Sequence, residues 1–267
     1  MMAVDQVKSY IDEGYMWFGK IDLSGCFNHI DQNKVLYKLR QKISDERLMK
    51  LLNKYMKIQY VTDNEEFFNF EGCPQGSALS PLFTNLVLTD LDKEFERRQY
   101  AFARYADDII IAFKSEAAAK SAIDKVCNYI EHKCKLPVNQ DKVEIKSINE
   151  GFCFLGFFLY ENNGIHIVPT LKNWKKLRDR VANICRSNPD TNMTNKINEH
   201  TRGWINYYLN SEINNKCMTL DLYINKEIHK AEKRLNKKIN RNDLINCHEY
   251  YKKRRGIQSG KEACINS

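Results

Sequence analysis

The sequence predicts an α+β fold: an antiparallel sheet with packed helices over residues 1–165, then an all-helical segment over residues 166–267. Three observations carry this. The β-branched run Ile109-Ile110-Ile111 follows a second strand-like stretch, Phe102–Tyr105, closely enough to form a hairpin, and its lack of alternation reads as burial on both faces. Segments with helical periodicity flank that hairpin on both sides. Beyond residue 165 the strand patterns stop, and Lys and Arg become dense among helically spaced apolar residues.

The chain has 267 residues, 43% hydrophobic and 28% charged, enough for one large domain or two modest ones with a sizeable core. No window approaches the ~18 consecutive apolar residues of a membrane span. The start, Met1-Met2-Ala3-Val4-Asp5, has neither the basic nor the apolar region of a secretion signal. Nine cysteines, an odd number with no Cys-x-x-Cys pair, argue for reduced structural thiols and a cytoplasmic location, against a disulfide frame or zinc site. The net charge of +8 is unevenly divided. Residues 1–165 hold 21 Lys+Arg against 24 Asp+Glu, whereas residues 166–267 hold 21 against 10. A near-neutral half beside a basic one suggests a carboxylate-bearing module next to a polyanion-binding module, although a lysine-rich solvated surface gives the same count.

In chain order, residues 3–14 read as a helix and Tyr15–Ile21 as a strand that runs into Asp22. A carboxylate at a strand end before a Gly-containing turn (Leu23-Ser24-Gly25-Cys26-Phe27) is well placed to hold a cation; taken alone, it serves equally as a helix N-cap. Residues 32–60 carry Val35, Leu36, Leu39, Ile43, Leu48, Leu51, Leu52 and Tyr55 at helical spacing. Glu66–Phe70 reads as a short strand. Gly72-Cys-Pro-Gln-Gly-Ser-Ala-Leu-Ser-Pro81 is a loop rich in backbone punctuators that leads into an apolar helix, Leu82–Leu91. Gly76 lets the backbone approach a ligand closely, Gln75 offers an amide, and Ser80-Pro81 suits a helix start. Asp107 and Asp108 fall at the tip of the predicted hairpin, where aspartates also serve as ordinary turn formers. After it come helices over 115–133, 171–185, 195–209 and 220–239, and a frayed end from Lys252 onward.

Taken together, three segments resemble the reverse transcriptases. Asp22 through Phe27 is similar to motif A of that family, an Asp at a strand end with an aromatic residue five positions on. Pro74-Gln-Gly-Ser-Ala-Leu-Ser-Pro81 resembles its Pro-Gln-Gly-x-x-x-Ser-Pro motif, and Tyr105-Ala-Asp-Asp108 its Tyr-x-Asp-Asp motif C. Each is weak alone; their order and spacing in one chain are specific. Leu136-Pro-Val-Asn-Gln-Asp-Lys142-Val is similar to motif D, with Lys142-Val143 where the family usually has Lys-Thr or Lys-Ser. Phe154-Leu155-Gly156-Phe157 resembles the motif E primer grip, and read without the family it is core. Arg202-Gly-Trp-Ile-Asn-Tyr-Tyr208 resembles the maturase-specific domain of group II intron proteins, which narrows the likeness to the intron-encoded kind.

The resemblance implies a polymerase palm over residues 1–165, with residual fingers, and a basic thumb/maturase domain over 166–267. It implies nucleotidyl transfer from a dNTP to a primer 3′-hydroxyl on an RNA template. Two divalent ions ~3.5–4 Å apart stabilise the attacking and leaving oxygens of such a displacement. Mg²⁺, with Mn²⁺ as a substitute, prefers hard oxygen ligands, so Asp22, Asp107 and Asp108 are the implied holders. Lys142 would donate a proton to the leaving pyrophosphate. Phe27 would exclude a 2′-hydroxyl, a core aromatic being the alternative. Gln75, Gly76, Arg104 and Tyr105 would contact nucleotide and template. Arg202, Lys230, Lys233, Arg234 and Lys237 would bind RNA, including the parent intron. Trp204 and one of Tyr207 and Tyr208 are expected to pack between helices, with Gly203 marking a close contact.

Asp22 lies nearly at the start, where the family has a long fingers segment before motif A, so the resemblance also implies a truncated chain or one half of a split polymerase completed by a separate fingers fragment. A catalytically silent RNA-binding remnant is the alternative reading. An RNA-copying RNA polymerase is a third, against which Phe27 speaks.

Overall fold

Ile109, Ile110 and Ile111 are all buried, at the centre of a four-stranded antiparallel sheet. The structure is a computed structural model, and it describes residues 2–57, 60–62, 65–67, 72–73, 77–187 and 192–265. The chain forms two units, Met1–Glu150 and Gly151–Ser267.

In the first unit, β1 (Trp17–Asp22), β4 (Ala101–Tyr105), β5 (Asp108–Phe113) and β6 (Glu144–Ser147) lie in the order β4-β5-β1-β6. A separate short hairpin, β2 (Tyr60–Thr62) and β3 (Glu65–Phe67), precedes β4 in the chain. Strand alternation turns Ile21, Ile109 and Ile111 to one face. There they join Leu88, Leu91 and Phe95 of α4 (Ser80–Arg97) and Ile123 and Val126 of α5 (Glu116–Tyr129) in one core. Each fully buried isoleucine contributes about 1.5–3 kcal/mol. Gly19 is required at the sheet–helix contact, because a Cβ there would lie 2.3 Å from Ile123 Cδ1.

The helix expected over 32–60 is two helices, α2 (Gln32–Arg40) and α3 (Glu46–Met56), and Tyr60 belongs to a strand. The break comes from Asp45, whose carboxylate accepts from Arg47 N and Leu48 N and so starts a new helix, a cap that continuous apolar spacing conceals. Asp31 caps α2 in the same way, so Asp22 is the strand end of the two alternatives and not the cap. Phe83 and Val87 of α4 pack with Val35, Leu39, Met49 and Met56 in a second core. Thus α4 serves both of these clusters, and α1 (Met2–Asp12) begins the unit.

The second unit is not all helix. It opens with a three-stranded antiparallel sheet, β7 (Phe152–Phe154), β8 (Phe157–Glu161) and β9 (Ile165–Pro169). The boundary expected at 165/166 therefore falls inside β9, and the division lies at 150/151. The reason is local: Thr170 N donates to Gly156 O at 3.0 Å and Glu212 N to Ile167 O at 2.9 Å, which ties this sheet to the helices that follow. Those are α6 (Leu171–Arg186), α7 (Met193–Tyr207), α8 (Asn214–Leu235) and α9 (Cys247–Ile265). Asn236, at φ +50°, ends α8 before the expected residue 239. The end expected to fray is helical: Asp221 caps Cys247 N and His248 N, while Arg255 Nη1 donates to Leu209 O at 3.0 Å. Among the described residues no helix is long and apolar enough to cross a membrane.

Candidate active site

Pairing of β1 with β5 places Asp22 directly opposite Asp108. Directly opposed residues of an antiparallel pair share a face, so both carboxylates lie on the face away from the Ile21–Ile109 core. Lys20, two residues before Asp22, shares that face and was not among the expected site residues; the period-2 alternation of the strand is the signal that identifies it. Asp107 occupies the two-residue turn between β4 and β5 beside Ala106, whose φ of +55° is left-handed. Burial pushes the Asp108 carboxyl up, Lys20 opposes that, and Asp107 and Asp22 push it further.

The turn is held from behind. Arg104 of β4 forks onto Asp92 of α4, with Nε donating to Oδ1 at 2.7 Å. Its Nη1 donates to Asn85 Oδ1 and to Ala106 O, each at 2.9 Å. The guanidinium expected to touch nucleotide is thus directed inward, where it positions the aspartate turn. Tyr105 is 62% exposed at the same tip. Asp92 and Asn85 were not anticipated, because nothing in a helical apolar pattern marks which polar residue faces a partner strand.

Phe27 lies half-buried in a 3₁₀ turn, Cys26–His29, just beyond Asp22. Its carbonyl accepts from Cys73 N at 2.6 Å, and Gly72 N donates to Ile30 O at 2.9 Å. Gly72 is needed here: its φ is +81°, and a Cβ would lie 2.5 Å from Phe27 O. The buried Gln32 amide donates to Gly72 O (2.9 Å) and Met56 O (3.1 Å), so it staples the loop start to the turn. Gln75 and Gly76 lie outside the described residues. Burial lifts the Cys26 thiol to about 12 and that of Cys73 to about 11, keeping both protonated and inert.

Lys142 ends a 3₁₀ turn, Gln140–Lys142, and its Nζ donates to Asp22 Oδ2 at 2.9 Å. One of the three carboxylates, Asp22, is thus paired with a lysine. Among the described residues no three His, Cys, Asp or Glu side chains stand in a metal-holding arrangement. The donor chemistry nevertheless suits a hard divalent cation: three carboxylates from neighbouring strand ends, with Asp22 diverted to Lys142.

In the second unit, Phe154 and Phe157 are core residues. What remains of that motif for a ligand is its turn, Leu155-Gly156, where φ is +48° and +80°, the pattern of a type I′ hairpin. Tyr207 Oη donates to Leu155 O (2.8 Å) and Tyr208 Oη to Gly156 O (3.1 Å). The Phe-Leu-Gly-Phe and Arg-Gly-Trp-x-x-Tyr-Tyr motifs are therefore one mechanical piece. Trp204 packs against Trp174 and Tyr208, and Tyr208 is buried as expected. Gly203, by contrast, faces open space. It borders a groove of about 950 Å³ between α6 and α7 lined by Lys172, Lys176, Arg180, His200 and Tyr207.

The expected RNA-binding residues divide by their contacts. Lys233 and Lys237 are exposed. Lys230 pairs with the buried Glu227 at 2.6 Å, Arg234 donates to Cys185 O at the end of α6, and Arg202 lies over the Tyr250 ring.

Residues 2–159 match the family model "Reverse transcriptase (RNA-dependent DNA polymerase)". The chain is 26% identical over 263 residues to the putative COX1/OXI3 intron 2 protein of Saccharomyces cerevisiae, covering 75% of this chain and 30% of that protein. It is 29% identical over 206 residues to protein YkfC of Escherichia coli, covering 63% and 54% respectively. To the group II intron-encoded protein LtrA of Lactococcus lactis subsp. cremoris it is 33% identical over 97 residues, covering 36% and 16%. The chain thus spans no more than about half the length of these relatives. Telomerase from Candida tropicalis, solved in complex with a TWJ fragment of telomeric RNA, superposes with a TM-score of 0.52 at 12% identity, covering 95% of this chain and 50% of that one. The likeness is one of fold, a polymerase palm followed by a largely helical domain. With the match covering more than half the chain, and the motif A and motif C aspartates facing each other across β1 and β5, this protein belongs to the reverse transcriptase family.

Proposed function

We propose that the chain is the palm and thumb/maturase part of an RNA-directed DNA polymerase of the group II intron kind. The observation that carries this is the register of Asp22 against Asp108, with Asp107 in the adjoining turn, on the sheet face opposite the Ile21–Ile109 core. Asp22, Asp107 and Asp108 are the holders of divalent cations, Mg²⁺ or in its place Mn²⁺. Bound there, such cations stabilise charge on the attacking and leaving oxygens. Arg104, held by Asp92, fixes the turn that presents Asp107. Phe27, pinned by Cys73 N, limits the space beside the incoming sugar and disfavours a 2′-hydroxyl. Lys142, which is hydrogen-bonded to Asp22, is the proton donor. The turn Leu155-Gly156 steadies the primer end. The basic second unit holds template and intron RNA through Lys233, Lys237 and the α6–α7 groove.

The test is incorporation of dNTP on a primed RNA template with Mg²⁺, with and without a fingers polypeptide supplied in trans. Synthesis that vanishes in Asp107→Ala is the expected result, and robust synthesis by that variant refutes the reading. A second reading, RNA binding without polymerisation, is favoured by the engagement of Asp22 with Lys142. It predicts salt-sensitive RNA binding and no incorporation even when the fingers fragment is added.

A further inference from the structure

We infer that Lys142 is the resident counter-ion of the aspartate cluster in the cation-free protein, and that a divalent cation and the Lys142 ammonium compete for Asp22. This rests on the proposed polymerase reading and adds an exchange step to it: the carboxylate that receives the cation is the one that releases the lysine.

Lys142 and Asp22 are 120 residues apart in the chain, and their contact is built by the backbone. Asn139 N donates to Asp22 O, and Ser24 N to Pro137 O, each at 2.9 Å. Leu23 and Val138 form an antiparallel bridge between them, and Lys142 N closes the turn onto Asn139 O. The segment that carries Lys142 is thus stitched to Asp22 and to the two residues that follow it. The ammonium is delivered to Oδ2 by a clamped turn, although the lysine itself is 63% exposed. On the same sheet face Lys20 stands two residues from Asp22. Two ammonium groups therefore balance much of the charge of Asp22, Asp107 and Asp108, which otherwise repel one another.

A divalent cation brings twice the charge of the ammonium but needs the same oxygen. Its apparent affinity is lowered by whatever the ion pair is worth. Lys142 becomes available to another anion only when Asp22 is taken from it. A lysine that donates to a leaving group would in this way be freed by loading of the site.

The experiment is Mn²⁺ binding to the full chain, without nucleotide and at low salt, measured by titration calorimetry together with thermal melts. The variants are Lys142→Met, Lys142→Gln, Lys142→Arg and Asp107→Asn. The expected result is that Lys142→Met and Lys142→Gln bind Mn²⁺ about two- to fivefold more tightly, the range of a solvent-exposed ion pair. Mn²⁺ should also raise their melting temperature by more than it raises that of the parent chain. Lys142→Arg, which keeps the charge, should stay close to the parent. Unchanged or weaker Mn²⁺ binding in both neutral variants overturns the inference, even if Asp107→Asn removes the site and so upholds the polymerase reading. Should Asp107→Asn leave Mn²⁺ binding intact, the cation is held elsewhere, and both the inference and the reading beneath it fail.

Discussion

At Asp108 burial raises the carboxyl, Lys20 opposes it, and Asp107 and Asp22 raise it further, leaving it above the ordinary carboxylate value. The folded protein therefore holds this proton more tightly than the unfolded chain does. The ionised form costs stability at every pH above the raised value, and the cost disappears below the unfolded value near ~3.9. Asp108→Asn removes that cost. We expect the variant to melt on the order of 1–4 °C higher at pH 7 without divalent cations, with the gain shrinking as the pH falls towards ~3.9; calorimetry across that range checks it. The same variant should lose polymerase activity, so stability and activity move in opposite directions. Arg104 is the opposite case, a largely buried cation with two carboxylate contacts and two neutral ones. Arg104→Ala leaves Asp92 without its fork and should destabilise by roughly 2–4 kcal/mol in urea unfolding, somewhat less than a fully buried pair because Asp92 keeps some solvent access.

Between β7 and β8, the two-residue turn Leu155-Gly156 has no room for a side chain at its second position. A Cβ on Gly156 would meet Asn173 Nδ2 at 2.4 Å and Tyr208 Oη at 2.9 Å, and φ is +80°. Gly156→Ala should therefore cost about 2 kcal/mol or more, from the left-handed backbone and the clash together. Tyr208→Phe keeps the ring, which packs on Phe157 and Trp204, and removes only the hydroxyl that accepts from Asn173 and donates to Gly156 O. Its cost should be smaller, about 1–2 kcal/mol. Equal losses in the two variants, measured by chemical denaturation, would show that the hydroxyl and not the turn backbone couples hairpin to helix.

Over the whole chain, positive charge is concentrated after residue 165 and acidic residues slightly outnumber basic ones before it. Affinity for RNA should therefore fall linearly on a log–log salt plot, with most of the slope supplied by the second unit. Replacing the exposed Lys233 and Lys237 by Ala should weaken binding to unrelated RNA sequences alike, and each lost phosphate contact should lower the slope by about 0.7–0.9. Lys230→Ala should behave differently, because that lysine is paired with the buried Glu227 and its loss registers in stability as well. A salt slope unchanged by the Lys233 and Lys237 substitutions would place RNA elsewhere, the groove between α6 and α7 being the next candidate.

The order and spacing of the Asp22, Pro74–Pro81 and Asp107-Asp108 motifs, the buried isoleucine strand and the division of charge were legible in the sequence, because each is written in neighbouring residues and needs no partner. So was the packing of Trp204 and of one of its two neighbouring tyrosines, though only the structure shows that the buried one is Tyr208. The split of residues 32–56 into two helices and the hairpin closed by Asn163-Gly164 were legible in principle, through a capping aspartate and an Asn-Gly turn that apolar periodicity overrode. Only the tertiary structure decided that Asp22 opposes Asp108, that Lys142 takes Asp22 and that Arg104 turns inward to Asp92. Register and long-range ion pairs depend on which faces are buried together and on which backbone groups then meet, and local sequence carries no record of either until the chain has folded.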